Sequence, residues 1–333
     1  MELYIQCGLP RELIEDRLGT DSFHHEQRLL DVGLIQKGPL TPDIQQSRSA
    51  YRKLHHNYKE KIREEGEKLK QIAPDLLISD IPYLPIAAAE QAGVPSVALA
   101  SLTWDYIIQS YFGGNDPESR QWYEEAQASY AKATLALLPT PAMDGDCFPN
   151  KIEIPPIAAV GARQPELRGE LGIKGRDRRP LVLCSLGGIP GADLPIAAME
   201  QAIEFHWLIN VMHLPEQENI HSLNHCGRYP YKEIISSVDG VVGKPGYGMA
   251  VEVVALDLPF IFVQRGDFPD EPYIVQWLLQ HGRAKEVTAQ QWRTGEIVEP
   301  LIEMMAEKRK IAIKADGAEQ GAKIIMEMMG IKR

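Results

Sequence analysis

A glycine-rich turn at residues 243–248 has the composition of an anion-binding site. Its sequence, Gly-Lys-Pro-Gly-Tyr-Gly, separates a predicted strand from a predicted helix. Glycine lets a ligand approach the backbone closely, and the free N–H groups at a helix start attract anions. Lys244 adds a positive charge beside that helix start. The spacing favours a phosphate site, although a purely structural turn has the same composition.

Glu252 lies six residues after Gly246, roughly one turn into the predicted helix. A carboxylate at this position can accept two hydrogen bonds from the hydroxyls of a ribose whose phosphates occupy the turn. The alternative interpretation is a helix carboxylate that faces solvent.

A second candidate phosphate turn is Ser185-Leu186-Gly187-Gly188, directly after an apolar strand. Gly187 and Gly188 would leave backbone N–H groups accessible at the next helix start, but an ordinary strand-to-helix turn is the alternative. The spacing Gly-x-Gly-x-x-Gly is absent, so a nicotinamide dinucleotide fingerprint is not supported. A P-loop Gly-Lys-Ser/Thr triplet is also absent, which argues against a nucleoside triphosphate phosphotransferase.

An acidic loop follows the strand predicted at 259–263. Polar groups at the carboxyl end of a parallel strand lie where open α/β sheets bind ligands. Asp267, Asp270 and Glu271 can hold sugar hydroxyls at this place, unless the loop is simply charged and exposed.

The histidines lack the spacing of metal ligands. His24–His25 and His55–His56 are adjacent pairs, and sequence neighbours do not share a helix face. The Gly-x-Ser-x-Gly elbow of α/β-hydrolases is absent. We therefore expect no metal, no cofactor and no serine-hydrolase triad.

Length and composition narrow the class of protein. The 333 residues suggest two domains, and the net charge of −11 argues against a nucleic-acid partner. The four cysteines form no C-x-x-C motif, so a disulfide framework or zinc module is not expected. No apolar run approaches the roughly 20 residues that span a bilayer, and the first residues do not resemble a signal peptide. We predict a cytoplasmic protein; peripheral attachment at the inner membrane stays open.

Strand-like and helix-like segments alternate in the pattern of parallel-sheet α/β proteins. In the first half, residues 22–42 are predicted to be irregular, and an amphipathic pattern predicts one helix from Asp43 to Ile72. Other first-half elements are strands at 3–7, 75–80, 95–100 and 134–138, and helices at 85–92 and from 118. In the second half we predict strands at 181–185, 207–212, 240–243 and 259–263, and helices at 195–204, 231–237, 249–256, 271–281 and 299–329.

Residues 139–180 are rich in proline, glycine and charge, which is typical of a domain boundary. We predict an N-terminal domain at 1–160, a linker at 161–179 and a C-terminal domain at 180–333. A return of the last helix to the first domain stays open.

The second half resembles the donor half of GT-B glycosyltransferases. The resemblance is carried by the strand before Gly-Gly, the Lys-Pro-Gly-Tyr-Gly turn, the helix with Glu252 and the strand Pro-Phe-Ile-Phe-Val before an acidic loop. It is similar to the family-28-type group that contains the lipid-linked N-acetylglucosaminyltransferase of peptidoglycan synthesis. It is also similar to predicted bacterial glycosyltransferases and to the N-terminal region of plant arabinokinases. The likeness covers 181–330 well and the first half more loosely, through 31–34, 75–80 and 103–105.

This resemblance implies two Rossmann-like, doubly wound parallel-sheet domains, with the active site in the cleft between them and a nucleotide-sugar on the C-terminal domain. The donor-binding residues that it implies are Gly187 and Gly188 at the diphosphate, Arg228 and Tyr229 at the base, Lys244, Gly246 and Gly248 at the phosphates, Glu252 at the ribose, and Asp267, Asp270 and Glu271 at the sugar.

Two features depart from the family pattern. The acidic loop has Glu271-Pro272 where the family usually has two glutamines or an acidic residue and a glutamine, so the sugar stays open. The family begins with a strand and a loop rich in glycine and histidine, whereas this chain begins at what corresponds to the second strand, Leu3–Cys7. We therefore expect the N-terminal domain to lack its first strand, through a misassigned start or because the protein is divergent or inactive. A missing central strand would leave an exposed sheet edge.

Together, these patterns predict a glycosyltransferase that moves a hexosyl or N-acetylhexosaminyl group from a nucleoside diphosphate sugar, with UDP expected. The acceptor stays open among small molecules, glycans and lipids. Asp80 and Asp105 are the candidates for the base that takes the acceptor's proton, since they end or follow strands that face the expected cleft. The alternatives are a nucleotide-sugar-binding protein without activity and a nucleotide-sugar epimerase of the same fold.

Overall fold

The computed structural model describes residues 2–38, 41–113, 116–186, 194–210, 217–266, 268–310 and 313–331. The chain divides into two compact units. The first comprises Met1–Ile35, Asp43–Ala136 and Gly145–Lys151, and the second comprises Gln36–Pro42, Leu137–Asp144 and Ile152–Arg333.

Parallel strands joined by helices dominate the first half of the chain. Its elements are β1 (Tyr4–Cys7), α1 (Arg11–Leu18), β2 (His24–Gln27), β3 (Gln36–Gly38), β4 (Thr41–Pro42), α2 (Ile44–His55), α3 (Tyr58–Ile72), β5 (Leu77–Asp80), α4 (Tyr83–Ala92), β6 (Ser96–Leu99), α5 (Trp104–Phe112), α6 (Pro117–Tyr130), β7 (Leu135–Pro139) and β8 (Lys151–Ile154). β1 pairs with β2 in parallel, and β5 pairs with β6 in parallel within a sheet of order β5-β6-β7-β8. β3 and β4 form a short antiparallel pair.

The second half forms a six-stranded, fully parallel sheet. Its elements are α7 (Leu167–Glu170), β9 (Leu181–Ser185), α8 (Ile196–Gln201), β10 (His206–Ile209), β11 (Ile220–Ser222), a 3₁₀ helix (Leu223–Cys226), α9 (Tyr231–Ser237), β12 (Gly240–Gly243), α10 (Tyr247–Ala255), β13 (Phe260–Phe262), α11 (Glu271–His281), β14 (Ala284–Glu286), α12 (Ala289–Thr294), α13 (Val298–Ala306) and α14 (Gly317–Met328). The strand order is β11-β10-β9-β12-β13-β14.

An apolar core lies on each face of this sheet. Along β9, Leu181 and Leu183 belong to one buried cluster, and Val182 and Cys184 belong to the other. Successive side chains of a strand point to opposite faces, so a strand covered on both sides is apolar throughout. The predicted doubly wound α/β architecture is confirmed.

Three predicted segments differ from the structure. The helix predicted from Asp43 to Ile72 is two helices, α2 and α3, because His56 is extended and Asn57 adopts a left-handed conformation with φ 54°. The stretch at 22–42 contains β2, β3 and β4, whose short polar sequences give no alternating apolar pattern. The helix predicted at 299–329 is also two helices, α13 and α14.

Within the described ranges, no helix combines the length and the apolar character needed to cross a membrane.

Candidate functional site

The order of the six strands reverses between the neighbouring strands β9 and β12. From β9 the chain proceeds outward through β10 and β11, then returns to β12 beside β9 and proceeds through β13 and β14 in the opposite direction. The strand order therefore reverses between β9 and β12, and open α/β sheets bind their ligands at such a point, outside the carboxyl ends of the strands. Ser185 and Gly243 are paired at these two ends.

The turn after β12 leaves open space for a ligand. Gly246 precedes α10 in an extended conformation (φ −80°, ψ 157°), and no side chain caps the helix start. A Cβ placed on Gly246 or Gly248 would meet no atom within 4 Å. Backbone N–H groups at an uncapped helix start and an unobstructed approach are what an anion requires.

Lys244 lies half-buried beside this turn. Burial lowers the pKa of its ammonium group, and the nearby charge of Arg265 lowers it further, while Glu271 and Asp270 act in the opposite direction. The turn thus combines a lysine with a helix N-terminus, and both favour negative charge.

Tyr231 is a neighbour of this turn that the sequence patterns did not single out. Desolvation raises the pKa of its hydroxyl to about 12, and the negative charge of Glu252 contributes to the rise. A hydrogen bond with the Ser185 side chain opposes the rise. Tyr231 therefore lies beside the end of β9, and the charge of the half-buried Glu252, in the second turn of α10, acts on its hydroxyl. An aromatic residue at the start of a short helix does not by itself indicate a binding site, so the sequence alone did not identify this residue.

Asp270 and Glu271 are buried and bound to Arg265. The Arg265 guanidinium donates from Nε to Glu271 Oε1 and from Nη2 to Asp270 Oδ1, each at 2.9 Å, and its backbone N–H donates to both Glu271 oxygens at 2.8 and 3.0 Å. Burial raises the pKa of both carboxyls, and Arg265 opposes the rise. The Arg265 guanidinium also lies 4.0 Å from the ring centre of Phe268. These contacts hold the loop after β13 in one conformation.

Arg228 and Tyr229 lie after the 3₁₀ helix. Arg228 stacks on the Tyr229 ring at 4.8 Å and pairs with Glu170, and the Tyr229 hydroxyl donates to Glu170 Oε1 at 3.1 Å. The remaining predicted donor residues, Gly187, Gly188 and Asp267, lie outside the described residues.

The first unit contains the two candidate bases in different environments. Asp80 ends β5, is exposed, and precedes Ile81, a β-branched residue with φ 64°. Left-handed backbone at such a residue is strained and occurs preferentially at functional sites. Asp105 lies in the first turn of α5 and is only 2% exposed.

Asp31 is a further carboxylate of the first unit. The Trp104 indole Nε1 donates to Asp31 Oδ2 at 2.9 Å. Burial raises the pKa of Asp31. Asp80 keeps part of its surface exposed, but neighbouring protein atoms partly desolvate its carboxyl, and this desolvation together with the charge of Asp31 raises its pKa. Asp31 lies in the segment 31–34, which is one of those that carry the family resemblance, but the sequence predicts no role for it.

Comparison with solved structures identifies the fold. The calicheamicin glycosyltransferase CalG4 aligns with a TM-score of 0.64 and 15% identity over 99% of this chain and 98% of that one. The chain has the GT-B fold. The glycosyltransferase VinC, solved with DTDP, aligns with a TM-score of 0.52 and 15% identity, over 99% of this chain and 95% of that one. A ugt transferase from Siraitia grosvenorii, solved with UDP, aligns with a TM-score of 0.53 and 11% identity, over 99% of this chain and all of that one.

A sequence relative matches this chain over part of its own length. The L-arabinokinase of Arabidopsis thaliana is 28% identical over 285 residues, which cover 82% of this chain and 26% of the relative. The chain thus spans about a quarter of the length of this relative. No family model matches the chain.

Proposed function

We propose that this chain transfers a sugar from a nucleoside diphosphate sugar to an acceptor. The observation that carries the proposal is the reversal of strand order between β9 and β12, where the turn after β12 holds Lys244 and the uncapped start of α10, and Glu252 follows in the second turn of that helix. Solved structures of the same fold hold UDP or DTDP, which are the products of such a donor.

In the proposed reaction, an acceptor oxygen attacks the anomeric carbon and forms the new glycosidic bond. The bond from that carbon to the diphosphate breaks, and the diphosphate leaves with its electron pair. Lys244 and the N–H groups at the start of α10 stabilise the negative charge of the departing diphosphate. Glu252 holds the ribose hydroxyls, and Asp270 and Glu271, buried against Arg265, position the loop after β13 beside the sugar.

A carboxylate of the first unit takes the acceptor's proton. Asp80 is the better candidate, because it is exposed and its raised pKa makes it a stronger base than an ordinary aspartate. Asp105 is buried, so an acceptor hydroxyl reaches it less readily.

The test is thermal unfolding of the wild type and Glu252→Ala in UDP, GDP, TDP, ADP and CDP. A nucleotide at 100 times its Kd adds about 2.7 kcal/mol to the unit that binds it, which raises Tm by several degrees. We expect one nucleotide to stabilise the wild type, Glu252→Ala to lose most of the shift, and Glu299→Ala, an exposed carboxylate of α13, to keep it. No shift with any nucleotide would contradict the donor site.

Turnover separates a transferase from its alternatives. Nucleoside diphosphate release that requires an acceptor supports transfer. Conversion of the nucleotide-sugar without any acceptor would indicate an epimerase, and binding without turnover across an acceptor panel would indicate a binding protein.

A further inference from the structure

The turn at the carboxyl end of β5 is strained and is held by several side chains. Ile81 adopts a left-handed conformation with φ 64°, which is rare for a β-branched residue. The Ser79 hydroxyl donates to the Pro82 carbonyl oxygen at 2.6 Å. The Tyr83 hydroxyl is hydrogen-bonded to Nε2 of the buried His55 at 2.7 Å. A strained conformation persists only where the surrounding structure over-determines it, so these hydrogen bonds act on a turn that would otherwise relax.

The hydroxyl of Tyr130 joins this turn to the segment that follows the neighbouring strand. It donates to the Ile81 carbonyl oxygen at 2.7 Å and accepts from the Trp104 backbone N–H at 3.1 Å. Because β5 and β6 are paired in parallel, the segments that follow them leave the same edge of the sheet. Tyr130 is completely buried, and its ring packs edge to face on Tyr83 and Phe148. This packing fixes the direction of the hydroxyl and so holds the two backbone groups that it binds.

Both candidate bases are covalent neighbours of the groups that Tyr130 binds. Asp80 directly precedes the residue whose carbonyl oxygen accepts from the Tyr130 hydroxyl, and Asp105 directly follows Trp104. Trp104 is held at its side chain as well, because its indole Nε1 donates to Asp31 Oδ2 at 2.9 Å. One buried hydroxyl therefore sets where both carboxylates begin at this edge of the sheet.

We propose that Tyr130 is a positioning residue for the base of the first unit. Its hydroxyl holds the Ile81 carbonyl against relaxation of the strained backbone, and this fixes the direction in which Asp80 leaves the end of β5. Tyr130 acts through the backbone and not on the reacting atoms. A base displaced by about 1 Å can lose on the order of 100-fold in rate, so the hold affects turnover more than binding. The inference rests on the proposed function, in which a carboxylate of this unit takes the acceptor's proton.

The test compares Tyr130→Phe with Tyr58→Phe in the full chain. Each substitution removes one buried tyrosine hydroxyl from the first unit and keeps the ring. Tyr58 is the matched control, because its hydroxyl is hydrogen-bonded at 2.8 Å to the side chain of Ser129, the residue before Tyr130. Since both variants lose one buried hydroxyl, we expect them to lower Tm by similar amounts.

Turnover is measured with the glucose and N-acetylglucosamine donors of the nucleoside diphosphate that raises the Tm of the wild type. Tyr130→Phe should lower kcat at least about tenfold. It should change KM for the nucleotide-sugar by less than about twofold, because the proposed donor residues belong to the second unit. Tyr58→Phe should keep kcat and KM within about twofold of the wild type.

Amide hydrogen exchange measures the hold without any turnover. The Trp104 N–H is protected by its hydrogen bond to the Tyr130 hydroxyl. Its exchange should become at least about tenfold faster in Tyr130→Phe and stay unchanged in Tyr58→Phe.

The outcomes separate this inference from the proposed function. Unchanged exchange of the Trp104 amide in Tyr130→Phe, or an equal fall of kcat in the two variants, would overturn the positioning role and leave the proposed function intact. So would an unchanged kcat in Tyr130→Phe. A wild type that releases no nucleoside diphosphate from either donor, although its Trp104 amide is protected through Tyr130, would instead refute the proposed function.

Discussion

Gly243 lies against the backbone of Ser185. A Cβ placed on Gly243 would lie 2.1 Å from the Ser185 carbonyl oxygen, a distance that no side chain tolerates. The two residues are paired at the carboxyl ends of β12 and β9, where the strand order reverses. Glycine at this position therefore lets the two strands remain paired up to the edge of the candidate donor site.

Gly243→Ala is expected to destabilise the second unit by about 1–3 kcal/mol or more, because the contact is with backbone and cannot be relieved by a rotamer change. The measurement is urea unfolding followed by fluorescence. Nucleotide binding should weaken as well, since the strand ends must separate.

Gly248→Ala, unlike Gly243→Ala, should weaken nucleotide binding without destabilising the second unit. Gly248 lies in α10 with open space around it, so alanine should leave stability unchanged or raise it by up to about 1 kcal/mol. If phosphates approach this glycine, the added methyl group should still weaken nucleotide binding, measured by calorimetry. Unchanged binding in Gly248→Ala would remove this residue from the donor site.

Arg265→Met should destabilise the second unit by about 3–5 kcal/mol, because it removes the guanidinium that pairs with the buried Asp270 and Glu271. Arg163→Met is the matched control. Its ion pair with Asp239 is largely exposed and should contribute about 1 kcal/mol or less.

The loss in Arg265→Met should become smaller at lower pH. Both carboxyls have a raised pKa in the folded protein, so the folded state binds protons more readily than the unfolded state, and acid favours it. A loss that does not change between pH 7.5 and 5 would show that the two carboxylates are not the cause.

The second unit should lose stability in mild acid through His206 and His221. The two rings are hydrogen-bonded at 2.9 Å and buried; desolvation lowers the pKa of His206 and lowers that of His221 to about 4. The unfolded state therefore binds protons first, and this stability is complete above about pH 6.5 and is lost as the pH falls toward 4. We expect a loss on the order of 2 kcal/mol at pH 5, measured by urea unfolding.

Replacing His221 by asparagine should flatten this pH dependence. His225→Gln, which changes an exposed histidine in the same region, should leave it unchanged. An equal slope in wild type and His221→Asn would exclude the histidine pair as its source.

The junction between α2 and α3 should depend on Asn57. Its left-handed conformation is tolerated by asparagine and glycine, and the side chain is exposed and caps nothing. Asn57→Ala should lower the free energy of unfolding by about 1 kcal/mol, and Asn57→Gly should lower it by no more than about 0.5 kcal/mol, measured by thermal unfolding. Equal costs would mean that backbone conformation does not set the stability of this junction.

Strongly apolar strands and their following turns could be predicted from the sequence. The boundaries of β9, α9 and β12 coincide with the predicted ones, because apolar runs end at glycine or proline there. β2, β11 and β14 were missed, since three or four residues with polar members carry too little pattern to distinguish a strand from a loop.

The turn at 243–248 and the helix that carries Glu252 were determined by local sequence, because glycine, proline and an apolar helix pattern act over a few residues. Tertiary structure decided what those residues face. Only the order of the strands brings the ends of β9 and β12 together, with Tyr231 beside Ser185. Only folding buries Asp270 and Glu271 against Arg265 and places the Trp104 indole beside Asp31. Burial and charge pairing depend on residues far apart in the chain, and sequence spacing does not encode those distances.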